Sequence, residues 1–478
     1  MKPVRVRYAP SPTGMQHIGG IRTALFNYFF ARVHRGSFIL RVEDTDQTRF
    51  HPDALEDIYS SFRWLGITAD ESPAAGGDWG PYVQSERQEL YRQYGEQLVT
   101  QGRAYWDYTT VPGGEDSAPY AYQGRDLTAD QIQAYRDQGV VPVLRLRVPE
   151  EGETVFEDLV LGRIKRKHKD LPPDPILMKS DGFPTYHLAN VIDDHLMEIS
   201  HVLRAQEWVP STPLHLLIYA AFGWEPPQFA HLPMVMGKDG TKLSKRHGST
   251  SLIEFRRAGY LPEAIINYIS LLGWSYDDSR EFFTSQELEE LFSLEKIHKA
   301  PAVFDYKKLD WFNGQYIREL TDERLVEELL PWLVEAQWVS SPPTAGERER
   351  ITALLPLIRE RLKVLGDVVP LLRFVFEGVQ EWPLEELIPK GGDPATTAVW
   401  LSRAWSTVET TGIADEETLN AALRLVAEEE GTKLGNILMP LRVAITGSKI
   451  SPPLIGSIRE IGMEEAQRRV QGALDTLA

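Results

Sequence analysis

The chain has no cysteine among its 478 residues. That removes disulfides, thiol nucleophiles and cysteine-held zinc in one step. Long apolar runs are missing too. No stretch approaches the roughly 18 apolar residues a membrane span needs. The first residues pass straight into a strand pattern, with no charged-then-apolar leader, so a cytoplasmic protein is the simplest expectation. Positive charge is in deficit: 51 Lys and Arg face 69 Asp and Glu, a net −18. Such a balance argues against indiscriminate polyanion binding but leaves room for a local basic face. The 42% hydrophobic and 25% charged fractions are those of an ordinary globular protein. At ~150 residues per domain the length suggests about three domains.

What is present is organised around residues 5–36. Residues 4–8 form a β-branched and aromatic run that stops at Pro10. Pro10, Ser11, Pro12, Thr13 and Gly14 then make a loop unable to join a ladder or a helix interior. Ile21, Leu25, Tyr28, Phe29 and Val33 recur at helical spacing, so a strand runs through a tight loop into a helix opening at His17-Ile18-Gly19-Gly20. Free amides at a helix start, beside glycines that admit a ligand, suit a phosphate group. A Gly-rich strand-to-helix turn with a capping His is equally common without a ligand, and the turn alone does not decide.

Residues 37–42 read as a second strand, followed at once by Glu43-Asp44-Thr45-Asp46. Strand, helix, strand implies a parallel pair with a crossover helix, whose ligands bind beyond the carboxyl ends of the strands. Glu43 stands at such an end, where it can hold an ammonium group or simply cap the next helix, residues 52–65. Residues 74–82 are rich in Gly and Pro, and 83–104 read as a helix. From 105 to 174 the pattern is mixed and reads as an inserted α+β unit: an aromatic run at 120–125, a helix at 129–137, and strands at 141–148 and 155–164. Its basic run, 163–169, can track a phosphate backbone, but a lysine-protected strand edge is favoured.

The sheet pattern resumes at 176. Asp181-Gly182 is a hairpin signal. Tyr186, Asn190 and Asp194 lie four apart, along one helical face. A short strand at 199–203 ends in Arg204-Ala205-Gln206-Glu207-Trp208, a helix covers 213–222, and another strand covers 231–236. The loop 237–248 then concentrates Lys238, Lys242, Lys245 and Arg246. A cationic loop of this kind can close on a polyphosphate and stabilise the charge of a departing pyrophosphate. From about Thr250 strand signals fade and helical spacing takes over at 261–272, 285–292, 322–339, 347–365, 370–376 and 418–430. The breaks fall at 340–345 and around 389–394.

The His17-Ile18-Gly19-Gly20 turn and the Lys242-Leu243-Ser244-Lys245-Arg246 loop together resemble the two signatures of the class I aminoacyl-tRNA synthetases. Further segments narrow the match: R-Y-A-P-S-P-T-G at 7–14, R-V-E-D-T-D at 41–46, the run from Phe183 to Met197, V-L-R-A-Q-E-W at 202–208, and the stretches 304–318 and 433–447. Across essentially its whole length the chain is similar to the bacterial-type glutamyl-tRNA synthetases. The departures are Gly20 for the second His of the first signature, and Leu243 and Arg246 for Met and Ser in the second.

The resemblance implies a Rossmann-like α/β catalytic domain (1–82 and 175–250) with a parallel sheet, interrupted by an inserted α+β acceptor-end-binding domain (83–174). An all-α half follows: a stem-contact domain (251–320) and two anticodon-binding subdomains (321–376 and 377–478). It implies that L-glutamate, ATP and tRNA-Glu are the substrates, with tRNA-Gln an open second acceptor, and that glutamyl-tRNA, AMP and pyrophosphate are the products. Glutamate, with two carboxylates and one ammonium, calls for about two guanidiniums and a counter-carboxylate. The matching residues are Arg7, Ala9, Ser11, Glu43, Tyr186, Asn190 and Arg204. ATP falls to Thr13, His17, Gly19, Gly20, Glu207, Lys242, Leu243, Ser244 and Lys245, with His17, Lys242 and Lys245 as the catalytic set. Mg²⁺ is expected with ATP, bridging phosphates. Some relatives hold zinc in the insertion through cysteines. Asp107, Thr109 and Asp126 stand there instead, so no zinc is expected. Trp208, Arg359, Arg361 and Arg442 are candidate tRNA contacts, whereas Trp400 and Trp405 are expected in the core. The residue deciding between tRNA-Glu and tRNA-Gln is sought in 358–367, with Gly366 either facing the anticodon or ending a helix. A monomer is expected.

Four rivals share parts of this pattern. A shorter glutamyl-transferring relative lacks the anticodon half, glutaminyl enzymes end in β-barrels, and small-molecule nucleotidylyltransferases need neither glutamate nor tRNA. A non-enzymatic tRNA-binding paralogue would keep the helical half but lose Arg7, Glu43 or Lys245, and none is lost here.

Overall fold

The computed structural model of the chain describes residues 3–49, 51–109 and 124–478, with Lys245 described by its backbone alone. Most of the aromatic run at 120–125 therefore lies outside the described residues. Two compact units emerge, Met1–Arg257 with Pro262–Tyr306, and Ala258–Leu261 with Lys307–Ala478.

In the first unit, strand β1 (Arg5–Tyr8) leads through the proline loop into helix α1 (Ile18–Val33) and back to β2 (Ser37–Leu40). The strands pair in parallel, Arg5 opposite Ser37 and Tyr8 opposite Leu40. Helix α1 is buried on most sides, with Ile18, Leu25, Phe26 and Phe29 all inside, as befits a crossover helix packed between layers. Helix α2 (Pro52–Leu65) opens on a first-turn proline, which sacrifices no intrahelical bond there.

After α3 (Gln88–Thr100) come β3 (Ala104–Asp107), α4 (Ala129–Asp137), β4 (Val143–Leu146), β5 (Glu153–Asp158), β6 (Gly162–Lys167) and β7 (Ile176–Met178). Strands β3, β4 and β7 form an antiparallel sheet. Then follow α5 (Tyr186–Leu196), β8 (His201–Ala205), α6 (Thr212–Phe222), β9 (Gln228–Leu232) and β10 (Val235–Met236). One buried cluster holds α3, α5 and α6 against β4 and β7, including Tyr91, Leu144, Leu177, Leu188, Ile192 and Ile218. Helices α7 (Leu252–Ala258), α8 (Pro262–Ser270) and α9 (Ser285–Leu291) follow, and β11 (Ala302–Val303) pairs with β10.

Two strand expectations are corrected. Residues 155–164 are not one strand but the arms of a β5–β6 hairpin. Asp158 Oδ1 accepts from the amides of Val160 (3.0 Å) and Leu161 (2.8 Å), an Asx-type turn that reverses the chain. Residues 231–236 are two strands, because Pro233 ends the β9 ladder. The hairpin joins β8 and β9 in a mixed sheet ordered β6-β5-β9-β8, with β5, β8 and β9 parallel and β6 antiparallel at the edge. The basic run is that edge, with Arg163, Lys165 and Lys167 exposed, a charged border that discourages further pairing.

The second unit is helical: α10 (Tyr306–Glu319), α11 (Asp322–Glu335), α12 (Ala345–Ile358), α13 (Val368–Phe376), α14 (Leu384–Leu387), α15 (Pro394–Thr411), α16 (Glu416–Glu429), α17 (Leu434–Thr446), α18 (Leu454–Ile461) and α19 (Met463–Leu477). Trp400, Leu401 and Trp405 on α15 pack with Leu423, Ile437, Leu441 and Val470 in its core. Gly366 does not end a helix but sits, half-buried, inside a short helical turn, Leu365–Asp367. A Cβ there would stand 3.1 Å from the Ala258 carbonyl and 3.2 Å from the Trp332 ring, so a side chain would need these neighbours to give by a few tenths of an ångström.

Candidate active site

A cavity of about 1430 Å³ opens where β1 and β2, a parallel pair, and β8 of the mixed sheet end, at the carboxyl ends of parallel-paired strands where ligands bind. Arg7, Ala9, Ser11, Thr13, His17, Gly19, Gly20, Glu43, Tyr186, Arg204, Glu207, Trp208, Lys242, Leu243 and Ser244 all line it. Asn190 does not line the cavity but binds Arg7 from behind.

One wall is a buried ion network. Arg7 donates from Nε to Asp194 Oδ1 at 2.9 Å and from Nη2 to Asn190 Oδ1 at 2.9 Å. The four-residue spacing of Tyr186, Asn190 and Asp194 on α5 turns all three toward the strand ends. Between them stands Arg41, which the sequence reading does not single out. It is fully buried, donating to Asp194 Oδ1 (2.8 Å), Glu43 Oε1 (2.9 Å) and Asn190 Oδ1 (3.2 Å). Its neighbour Asp193 is also bound by Arg87 at 2.8 Å. Burial pushes the Asp194 carboxyl up, but Arg7 and Arg41 together hold it below the usual range. Glu43 goes the other way: burial outweighs Arg41 and Arg7 and raises it.

Arg204 is different. It is 4% exposed, and among the described residues none of its contacts is a carboxylate. Nη1 donates to the Tyr186 hydroxyl (3.1 Å) and His215 Nδ1 (3.2 Å). Nη2 donates to Thr212 Oγ1 (2.8 Å) and the Trp208 carbonyl (3.4 Å). Nε donates to His231 Nε2 at 3.1 Å. The histidines behind it are kept neutral. Burial, then Arg204 itself, drives His215 well below its ordinary value. The same causes push His187, bonded to His215, down to about 4. Burial lowers His231 despite Asp158. A buried guanidinium among neutral acceptors retains its attraction for an incoming carboxylate. Beside it the Trp208 ring lies 4.5 Å from that of Tyr186.

The opposite wall carries the signature residues. His17 Nδ1 accepts from the amides of Gly19 (3.1 Å) and Gly20 (3.4 Å). These first-turn amides are therefore occupied rather than free, a correction to the phosphate cradle expected from sequence. The bond leaves Nε2 of the neutral ring as the outward donor. Burial and then Lys242 lower the His17 pKa, against an opposing pull from Glu207. Gly20 has a specific reason: a Cβ would stand 2.8 Å from the Tyr8 hydroxyl, which is bound to Gln16. Lys242 pairs with Glu207, and the Leu243 amide donates to the Val235 carbonyl at 3.0 Å, anchoring the loop to β10. Lys245 opens a short helical turn, and its side chain lies outside the described residues.

In the insertion, Asp107 accepts from Arg145 and Thr109. No group of three or more His, Asp or Glu able to hold a metal ion occurs among the described residues. In the helical unit, Arg359 is spent on the Arg318 and Leu320 carbonyls and on Asp322. Arg361 is exposed, while Arg442 binds Ser451 and the Pro452 carbonyl.

Residues 3–311 match the model of the catalytic domain of class I tRNA synthetases (E and Q), and residues 324–474 match an anticodon binding domain. A glutamate–tRNA ligase of Borreliella burgdorferi is 50% identical over 483 aligned residues, covering 99% of each chain. One from Treponema denticola is 47% identical, covering 98% of this chain and 99% of its own. Among solved structures, a glutamate tRNA ligase from Elizabethkingia meningosepticum, in complex with its amino acid, superposes with a TM-score of 0.79 at 34% identity over 100% of both chains. By its sequence, its α/β and helical units and the cavity between its two signatures, the chain belongs to the glutamate–tRNA ligase family of class I tRNA synthetases.

Proposed function

We infer that this chain activates L-glutamate with ATP and transfers the glutamyl group to the 3′-terminal adenosine of tRNA-Glu, releasing AMP and pyrophosphate. The observation that carries the assignment of its site is Arg204, a buried guanidinium with no acidic partner among the described residues, lining the same cavity as His17 and Lys242.

In our reading Arg204, with Tyr186 and Trp208 beside it, takes one carboxylate of glutamate. Arg7, whose Nη1 makes no hydrogen bond among the described residues, takes part in holding the other. Glu43 receives the ammonium on the oxygen that Arg41 leaves open, with Ala9 and Ser11 completing the floor. Held this way, the α-carboxylate attacks the α-phosphorus of ATP. Orientation and charge stabilisation supply most of the acceleration, so no protein nucleophile is required. His17 donates from Nε2 to a phosphate oxygen. Lys242 exchanges Glu207 for the triphosphate and, with Lys245, stabilises the departing pyrophosphate. Thr13, Gly19, Gly20, Leu243 and Ser244 shape the nucleotide pocket. Mg²⁺ enters on the phosphates of the substrate. The terminal ribose hydroxyl of the tRNA then attacks the acyl carbon and AMP leaves.

For the tRNA we propose acceptor-end contacts from the 83–174 segment and Trp208. Stem contacts would come from 251–320, and anticodon contacts from 321–376 and 377–478. Arg361 and Arg442 are the favoured cations there. They are close enough for the charge of Arg361 to add to burial in lowering Arg442, and two neighbouring cations suit a phosphate. Arg359 is the weaker candidate because both Nη1 and Nη2 are bound within the protein, whereas Arg442 is bound through Nη1. No helix among the described residues is long and apolar enough to cross a membrane. We place a monomeric enzyme in the cytoplasm, where ATP and tRNA are found. Steady-state charging of tRNA-Glu and tRNA-Gln by the wild type and Arg204→Ala tests the assignment. Unchanged glutamate KM in the variant would refute the site.

A further inference from the structure

Asp158 ends β5 and does not line the cavity, yet it reaches Arg204 through one intermediary. It is 3% exposed. Its Oδ1 accepts from the amides of Val160, Leu161 and His231 at 3.0, 2.8 and 3.3 Å. Its Oδ2 accepts from the His231 amide at 3.2 Å and from His231 Nδ1 at 2.6 Å. A carboxylate only accepts, so the proton of His231 is on Nδ1 and Nε2 is bare. That bare nitrogen accepts from Arg204 Nε at 3.1 Å and also lies 3.1 Å from the Thr212 hydroxyl.

We propose that Asp158 is a positioning residue for glutamate: it fixes the tautomer of His231, and that tautomer aims Arg204 into the cavity. The inference rests on the reading that Arg204 binds a substrate carboxylate. The backbone bonds to Oδ1 already suffice for the hairpin turn. The bond from Oδ2 to Nδ1 serves no turn and bears only on the ring.

Asparagine at this position separates the two duties. Its oxygen remains with the backbone amides, so its NH₂ faces His231 Nδ1. Two donors cannot share that contact, so the ring must carry its proton on Nε2, where it turns to Thr212 Oγ1 at 3.1 Å and no longer accepts from Arg204 Nε. The other nitrogens of Arg204 keep Tyr186, His215, Thr212 and the Trp208 carbonyl. The guanidinium is therefore misaimed but retained. Simple electrostatics gives the opposite sign: removing a nearby negative charge should strengthen Arg204's hold on an anion and lower the glutamate KM.

In full-length enzyme, Asp158→Asn should raise the glutamate KM in tRNA charging by about ten- to a hundredfold, the scale on which losing a partner that orients a metal-binding histidine lowers metal affinity or activity. The KM for ATP and the melting temperature should change little. His231→Gln offers Arg204 an amide oxygen that has no tautomer, so Asp158→Asn should add nothing further in that background. Nitrogen-15 NMR of histidine-labelled wild type, with His231→Gln as the assignment control, should find His231 protonated on Nδ1, and this decides the matter even if Asp158→Asn does not fold. A proton on Nε2, an unchanged or lowered glutamate KM, or additive costs in the double variant overturns the proposal. If Arg204→Ala itself leaves the glutamate KM unchanged, the site reading fails instead.

Discussion

Arg41 donates from Nη1 to Asp194 Oδ1 at 2.8 Å, the same oxygen that takes Arg7 Nε. With Glu43 on its other side, Arg41 is the hub through which two arginines and two acids neutralise each other at the wall of the cavity. Removing one member of such a group strands buried charge. Arg41→Met should therefore destabilise the protein by about 3–5 kcal/mol, since both Glu43 and Asp194 lose a partner. Denaturant unfolding checks this, and an unaltered midpoint would mean the network contributes little to stability.

Arg204 should behave oppositely. Its contacts are hydroxyls, imidazoles and a carbonyl, so Arg204→Gln orphans no acid. The expected result is a near-normal melting temperature with a glutamate KM raised by roughly one to two orders of magnitude, the cost of one charged hydrogen-bonded contact. Arg7→Gln should raise the glutamate KM and lower stability together, because Asp194 depends on it. Kinetics and melting of the two variants side by side distinguish the roles. Equal stability losses would contradict the contrast between them.

That contrast marks how far the sequence could be read. The strand–loop–helix opening, the α5 face and Arg204 at the end of β8 follow from apolar spacing and strand-end position. Arg41 does not, because a basic residue at a strand end looks the same whether it meets solvent or two buried acids. Asp158 and His231 are 73 residues apart, and only the pairing of β5 with β9 brings them together. Helix α17 escapes a reading by spacing because it is apolar on several sides and carries Pro440.

Gly20 illustrates a local choice made by a distant atom. The Tyr8 hydroxyl, held by Gln16, fills the space a side chain at position 20 would need. Gly20→Ala should cost about 1–3 kcal/mol through overpacking and raise the KM for ATP. Tyr8→Phe, which removes the obstructing oxygen, should recover much of the loss in the double variant. Strict additivity of the two substitutions would show that the contact is not the cause.

His17 offers a test of the nucleotide side by pH. Burial is the largest influence lowering its pKa below 6.5, Lys242 adds to it, and Glu207 opposes. The ring should therefore stay neutral at mildly acidic pH, with Nδ1 on the Gly19 and Gly20 amides and Nε2–H toward the phosphates. Protonation would put a donor where Nδ1 must accept and break the cap on α1. The acid limb of kcat/KM for ATP is thus expected below pH 6.5. Removing the positive neighbour with Lys242→Met should move the His17 titration upward. Neutralising the acid with Glu207→Gln should move it downward, since the opposing charge is gone. Histidine proton NMR follows both directly. Titration of wild-type His17 at or above its ordinary value, or shifts of the same sign in the two variants, would show that these charges do not govern the ring.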